Sequence, residues 1–298
     1  MKKCLRNLGC RMSVSEPLSR HTSLRLGGPA DLFIECCSEP ELLRALELIK
    51  AGKKEFFVLG GGTNLLVRDG GFRGTVIKLC GEYEKIEVSG NSLVCGAAAP
   101  LPLAVKAAAV AGLAGLETLS GIPGTVGGAV CGNSGTREAE IKDRLKSVTF
   151  FDEKKKLRSV AAGKLEFGYR TSEFKSRKVI ITSAEFLLKK GKSQELKSAG
   201  AEIRRQKKNT QPLGQASAGC VFKNPAVGNP AGKLIEDSGL KGVKLGGASV
   251  SKLHANYIIN QGKKASDMLA LIAKIKKTVL EKKGVALEEE ILILGEDL

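Results

Sequence analysis

No Trp occurs in the 298-residue sequence, and aromatic residues make up only 4% of it. Binding of single-stranded nucleic acid relies on stacking bases against aromatic rings. That scarcity argues against this class, and no helix-turn-helix or RNA-binding signature is legible. Histidine occurs only at His21 and His254, and the eight cysteines (Cys4, Cys10, Cys36, Cys37, Cys80, Cys95, Cys131 and Cys220) form no CxxC pair. The usual donor set of a zinc site is therefore missing, and no metal is expected. No uncharged apolar stretch approaches the roughly 18–20 residues of a bilayer-spanning helix. Met1 to Glu16 carries Lys2, Lys3, Arg6 and Arg11 without the continuous apolar core of a secretory signal. A cytoplasmic protein with no membrane partner is expected, and in that reducing compartment its cysteines are expected to be thiols.

What the chain does contain suits a globular fold. Hydrophobic residues make up 42% and charged residues 27%, enough apolar surface to offset chain entropy. The length suits two or three domains of roughly 100–150 residues. Lys and Arg number 48 against 31 Asp and Glu, a net charge of +17. Between Lys142 and Lys208, 20 basic residues face 8 acidic ones, so most of the excess is local and reads mainly as solvated surface. A basic field raises encounter rates with polyanions. With stacking aromatics sparse, small polyanionic ligands are the expected partners, and nucleic acid is not.

The hydrophobic pattern predicts an α+β protein. Ser38-Glu39-Pro40-Glu41 has the form of a capping box. Leu42, Leu43, Leu46 and Ile49 then recur at helical spacing until Gly52, and Phe56–Leu59 reads as a short buried strand. The segment 76–192 is richer in strands, at Val76–Leu79, Leu93–Cys95, Val148–Phe151 and Val179–Phe186. An Ala-rich helix from Leu101 to Ala111, closed by Gly112, interrupts them. Clustered strands indicate α+β, not a strict strand–helix alternation. The polar stretch 189–193 predicts a domain boundary. The segment 193–298 holds a charged helix near Glu195–Lys208 and a helix between Ser266 and Gly284. Met268, Leu271, Ile272, Ile275 and Val279 form the core face of that second helix. A terminal strand follows at Ile291–Leu294.

Two glycine clusters carry the first chemical signal. Gly60-Gly61-Gly62-Thr63-Asn64 directly follows a predicted strand, and Gly121-Ile122-Pro123-Gly124-Thr125-Val126-Gly127-Gly128 lies about sixty residues later. Neither is a GxGxxG fingerprint or a Walker loop. Each alone could be a tight turn. Because glycine lacks Cβ, such runs also let several backbone N–H groups converge on an anion. The pair, each with a Thr, favours a dinucleotide pyrophosphate.

Further motifs are His21-Thr22-Ser23 with Gly27-Gly28-Pro29-Ala30, Leu59 to Leu66, Asp69 to Gly74, and Gly115-Leu116-Glu117 through Gly128. Phe167-Gly168-Tyr169-Arg170-Thr171-Ser172, Ala218-Gly219-Cys220-Val221-Phe222-Lys223-Asn224-Pro225, Ala231 to Gly242, and Leu287-Glu288-Glu289-Glu290-Ile291 follow. In this order the set resembles the UDP-N-acetylenolpyruvoylglucosamine reductase family in its shorter subtype, over nearly the whole chain. These are flavoenzymes of peptidoglycan synthesis, hence of cell wall biogenesis, cell shape and cell division. The resemblance implies a two-subdomain FAD-binding fold of the PCMH type (1–75 and 76–192) followed by a C-terminal α+β substrate-binding domain (193–298). FAD would be held non-covalently, with Gly60, Gly61, Gly62, Thr63, Asn64, Gly121, Ile122, Pro123, Gly124, Thr125, Gly127 and Gly128 around its pyrophosphate. NADPH would serve as reductant.

The implied reaction reduces the enolpyruvyl ether of a UDP-sugar to a lactyl ether. Hydride from flavin N5 adds to the terminal methylene, and negative charge develops toward the carboxylate, so a cation and an acid are both required. By resemblance, Arg170 lies beside the carboxylate, Glu290 lies near it, and Cys220 delivers the proton. Most members carry Ser where this chain has Cys220. A thiol with an ordinary pKa of ~8.5 is still mainly protonated near neutrality and able to donate. Asn224 and Lys241 match positions that approach the sugar nucleotide. His254 matches a substrate-facing position, although a lone His also serves as hydrogen-bonded structure. In Gly132-Asn133-Ser134-Gly135-Thr136-Arg137 the chain lacks a Tyr that many relatives carry, so a contact from that ring does not transfer. A monomer is expected.

Three other readings compete. A flavin oxidase on the same fold often attaches its cofactor through His or Cys, but no His lies between His21 and His254. A Cys220–His254 hydrolase has the residue types but no supporting local spacing. A basic scaffold would bind nucleic acid with steep salt dependence.

Overall fold

A computed structural model describes residues 10–226 and 228–298 of the chain; the Cys4 thiol and the first part of the Met1–Glu16 reading lie outside these residues. The strands are Arg11–Pro17 (β1), Pro29–Cys36 (β2), Phe56–Leu59 (β3), Leu65–Val67 (β4), Phe72–Leu79 (β5), Ile86–Ser89 (β6), Ser92–Gly96 (β7), Leu113–Ala114 (β8) and Leu145–Phe151 (β9). After them come Leu157–Ala161 (β10), Phe167–Gly168 (β11), Thr171–Ser172 (β12), Ile180–Leu187 (β13), Lys189–Lys190 (β14), Lys244–Leu245 (β15), Ala248–Val250 (β16), Ile258–Asn260 (β17) and Leu292–Leu294 (β18). The helices are Glu39–Ala51 (α1), Leu101–Val110 (α2), Val126–Cys131 (α3), Ser193–Thr210 (α4), Ala231–Asp237 (α5) and Ala265–Lys283 (α6), giving the expected α+β content.

The chain forms two compact units from interleaved segments. The first comprises residues 10–13, 32–61 and 75–206; the second comprises 14–31, 62–74 and 207–298. The segment 1–75 is thus shared between them, 76–192 falls wholly in the first, and most of 193–298 falls in the second. The stretch 189–193, whose polarity predicts a domain boundary, lies inside the first unit and is paired there. β14 pairs with β8, and the Gly191 N–H donates to the Gly112 carbonyl at 2.8 Å. Its polarity is that of a short strand with both side chains exposed.

In the first unit a five-stranded antiparallel sheet runs β10-β9-β13-β7-β6. The inward side chains of β13, Ile180, Ala184 and Phe186 among them, are buried at alternate positions, as a sheet with one covered face requires. The core of this unit joins them to Leu42, Ala45, Leu46 and Ile49 of α1 and to Leu101, Ala104 and Val105 of α2. α1 begins where its sequence predicts, but Ser38 makes no side-chain cap. Glu41 instead accepts the Cys37 N–H at 2.8 Å.

A second departure concerns the cysteines. Cys37 and Cys80 form a disulfide, with their Cα atoms 4.4 Å apart. They follow β2 and β5, which lie side by side in the sheet order β1-β2-β5-β3. The backbone bonds Cys80 N to Cys36 O and Glu82 N to Cys37 O, both 2.9 Å, bring the two residues together.

In the second unit, β15-β16-β17 form an antiparallel sheet and β18 pairs in parallel with β4. The predicted stripe Met268, Leu271, Ile272, Ile275 and Val279 is the buried face of α6, packed with Phe222, Ile235 and Ile258. Gly284 ends α6 in the left-handed conformation (φ +68°), with its N–H bonded to the Leu280 carbonyl.

Candidate active site

The glycine clusters meet in the first unit. A Cβ on Gly60 would lie 2.8 Å from Thr125 Oγ1, and one on Gly61 would lie 2.8 Å from the Cα of Gly124. The second loop is held by sheet-like bonds from Leu101 N to Gly124 O and from Val126 N to Ala99 O, both 2.9 Å. Thr125 caps α3 by accepting the Gly128 N–H on its hydroxyl at 3.3 Å. Ile122 and Pro123 fill the turn between Gly121 (φ +78°) and Gly124 (φ +106°). The result is a cradle walled by backbone, where side chains would collide. Such a surface fits a pyrophosphate held by peptide N–H groups, so the residues present suit FAD. Gly127 is buried against Ala97 and packs the helix start onto the strand beside it.

Gly62, Thr63 and Asn64 belong to the second unit. Gly62 packs on the His21 carbonyl and accepts the Ser23 N–H at 3.0 Å. The Asn64 amide donates to the Glu290 carbonyl at 3.1 Å, while the Asn64 carbonyl accepts the Leu292 N–H at 2.9 Å. The continuation of the first glycine cluster therefore anchors the segment that carries Glu290.

Arg170 sits at the tip of the β11–β12 hairpin with φ +56°, a conformation that non-glycine residues rarely adopt. Its guanidinium lies over the Tyr169 ring, 5.2 Å from the centroid, and its carbonyl accepts the Lys175 ammonium at 2.6 Å. The fully buried Asn133 fixes the hairpin by donating to the Gly168 carbonyl at 2.8 Å and to the Glu140 carboxylate at 2.9 Å. Ser172 adds a bond to the Cys131 carbonyl at 2.7 Å. The sequence reading names Arg170 and passes over Asn133, whose only local signal is an Asn after Gly132 in a turn requiring φ +45°.

Cys220, Tyr257 and Glu290 converge in the second unit. Residues 220–223 are flanked on one side by 256–257 and on the other by 288–290. Val221 N donates to Asn256 O, and Glu290 N donates to Val221 O, each at 2.8 Å. Single antiparallel bridges join Cys220 to Tyr257 and Phe222 to Glu289. Cys220 is a half-buried thiol hydrogen-bonded to the Tyr257 side chain. Burial foremost, then the Cys220 charge and hydrogen bond and the Glu290 charge, push the Tyr257 hydroxyl well above the ordinary phenol range.

The substrate-binding candidates occupy the same unit. Asn224 accepts the Ala231 N–H at 3.1 Å and so caps α5 from outside it. Lys241 is paired with Glu236 at 2.9 Å. His254 is half-buried, its Nδ1 accepts the Asn256 N–H at 3.3 Å, and its ring meets that of Tyr257 edge-on at 5.0 Å. Burial chiefly, with help from Lys241 and against the pull of its backbone bond and Glu236, lowers its pKa below the usual 6.5, so it stays neutral at neutral pH.

Comparison with known proteins accords with this geometry. Residues 30–160 match the family described as FAD binding domain, and residues 211–294 match UDP-N-acetylenolpyruvoylglucosamine reductase, C-terminal domain. The UDP-N-acetylenolpyruvoylglucosamine reductase of Clostridioides difficile is 41% identical over 287 residues, 96% of this chain and 94% of the relative. The protein of the same name from Carboxydothermus hydrogenoformans is 43% identical over 284 residues, 95% of this chain and 93% of the relative. The crystal structure of UDP-N-acetylenolpyruvylglucosamine reductase from Thermus caldophilus matches with a TM-score of 0.83 at 39% identity, covering 96% of this chain and 99% of that one. The chain belongs to the UDP-N-acetylenolpyruvoylglucosamine reductase family and is an FAD-dependent oxidoreductase.

Proposed function

We propose that this oxidoreductase uses NADPH to reduce UDP-N-acetyl-3-O-(1-carboxyvinyl)-glucosamine to UDP-N-acetylmuramate, as a cytoplasmic monomer, in peptidoglycan precursor synthesis. The observation that carries this reading is the convergence of a thiol, a buried phenol and the Glu290 segment in one unit of a chain with a backbone-walled cradle for FAD. FAD, held by the glycine loops at Gly60–Gly61 and Gly121–Gly128, would supply the hydride chemistry of this reduction, with NADPH as the reductant.

The chain's residues manage the charge and the proton. Arg170 presents a permanent, planar cation to the carboxylate, where the developing negative charge spreads over two oxygens. Its strained backbone and the Asn133 anchor fix the hairpin that bears it. Glu290 adds a hydrogen bond or acid proton near that carboxylate. Cys220 protonates the adjacent carbon, and its sulfur keeps the electron pair of the broken S–H bond. Asn224, Lys241 and His254 approach the sugar nucleotide, with a neutral His254 able to accept or donate one hydrogen bond. The two reactants use one pocket in turn, consistent with the missing nicotinamide fingerprint.

The test is an anaerobic titration of the yellow protein. NADPH should bleach the visible flavin band, and the enolpyruvyl sugar nucleotide should restore it with formation of UDP-N-acetylmuramate. Bleaching that this substrate fails to reverse would refute the assigned reaction while leaving the flavoprotein.

A further inference from the structure

Tyr257 lies directly across from Cys220 in a single antiparallel bridge. The backbone on its side is held closely. Asn256 bonds Val221 and Phe222 through its carbonyl and both side-chain atoms, at 2.8–3.0 Å. The Tyr257 N–H donates to the His254 carbonyl at 3.0 Å, and its carbonyl accepts the Ser251 N–H at 2.8 Å. The Tyr257 side chain is only 8% exposed, and the His254 ring packs edge-on against it. The Tyr257 side chain is thereby held beside Cys220 by a rigid frame.

We propose that Tyr257 is a positioning residue for Cys220, donating its hydroxyl hydrogen to Sγ so as to fix the thiol's orientation and hold the thiolate formed on proton transfer. This rests on the reaction proposed above. In that step the S–H bond breaks, a C–H bond forms at the carbon next to the carboxylate, and the electron pair remains on sulfur. Tyr257 keeps its own proton throughout, because burial and the neighbouring Cys220 and Glu290 hold the phenol protonated. A donor to sulfur stabilises the charged form selectively, since hydrogen bonds to ions are about twice as strong as those between neutral groups. The titratable groups facing the pair are Glu290 on the terminal segment and His254 on the same turn, with Lys241 and Glu236 beyond His254.

Tyr257→Phe removes the hydroxyl and keeps the ring that packs on His254. Two measurements read its effect. The pH midpoint for carboxamidomethylation of Cys220, followed on its own peptide by mass spectrometry, should rise by about one unit, a tenfold smaller thiolate fraction at neutral pH. Turnover should fall about tenfold, with KM and the rate of flavin bleaching by NADPH unchanged, and the substitution should cost nothing further in a Cys220→Ala background. An unchanged alkylation midpoint, or an equal loss with and without the thiol, would overturn the proposal. Reduced wild-type flavin that the enolpyruvyl sugar nucleotide does not reoxidise would instead refute the reaction itself, an outcome visible before any variant is made.

Discussion

A methyl group on Gly61 would sit 2.8 Å from the Cα of Gly124 and 3.3 Å from its carbonyl carbon. Both are backbone atoms, so no side chain can swing away, and the two loops must part. Overpacking of this kind costs about 1–3 kcal/mol, which on the loops proposed to hold FAD corresponds to roughly a ten- to hundredfold weaker hold on it. Gly61→Ala should therefore purify with much less bound flavin, measured as the ratio of visible to ultraviolet absorbance. Gly163→Ala, with open space around the added carbon, should keep the wild-type ratio. Full flavin content in Gly61→Ala would remove this contact from the cofactor site. The glycine pair was legible in sequence because its chemistry is local: a run of residues without Cβ announces close backbone approach. Asn133 and Tyr257 were not. Each acts on a partner far along the chain, Gly168 and Cys220, and no spacing rule links such positions.

At the scale of the element, α6 illustrates the same division. Its apolar stripe and its terminal Gly284 were readable, whereas its N-terminal cap comes from Asp69, nearly two hundred residues earlier. The Asp69 carboxylate accepts the Ala265 N–H at 2.7 Å and the Ser266 N–H at 3.0 Å. Burial alone would raise the Asp69 pKa, but these bonds and the nearby Lys264 outweigh it and lower the pKa below the ordinary 3.8. A folded pKa below the unfolded one means that the stabilisation is present above about pH 4 and is lost as pH falls through the lowered value. Removal of a helix-capping carboxylate typically costs about 1–2 kcal/mol. Asp69→Ala should therefore unfold at lower urea concentration at pH 7, and the gap from wild type should close in acid. Asp69→Asn, which keeps an acceptor oxygen without the charge, should fall between the two. A gap that persists undiminished at pH 3 would contradict a carboxylate cap. Strands and helices were thus predicted to within a few residues wherever a covered face imposes a period, while the partners that cap their ends were not legible. The Ser38–Glu41 pair shows the same limit, because the motif was present but Glu41 served Cys37 instead.

Over the whole molecule, the interleaving of segments decides what sequence order conceals. The separation of 43 residues between Cys37 and Cys80 gave no hint of pairing; it took the adjacency of β2 and β5 to bring them together. The net charge of +17, in contrast, was plain at once yet carries little of the specific chemistry. Many of the chain's charged side chains form surface pairs that cancel, Lys146 with Glu185 and Arg158 with Asp152 among them, and such pairs contribute only about 0–1 kcal/mol each. The disulfide is the larger global term. Closing a loop of this length restricts the unfolded chain and stabilises the fold by roughly 2–4 kcal/mol. In a reducing compartment the bond would be maintained only if the folded geometry disfavours reduction. Protein prepared without reductant should therefore release two additional thiols on reduction in denaturant, counted with a chromogenic disulfide reagent. The reduced form, or Cys37→Ser with Cys80→Ser, should melt several degrees lower while retaining its flavin, since the bridge lies outside both glycine loops. An identical thiol count with and without reductant would mean that the two cysteines remain thiols in solution. An identical melting temperature with the bond demonstrably closed would mean that the unfolded chain is already compact there, so that the bridge restricts little.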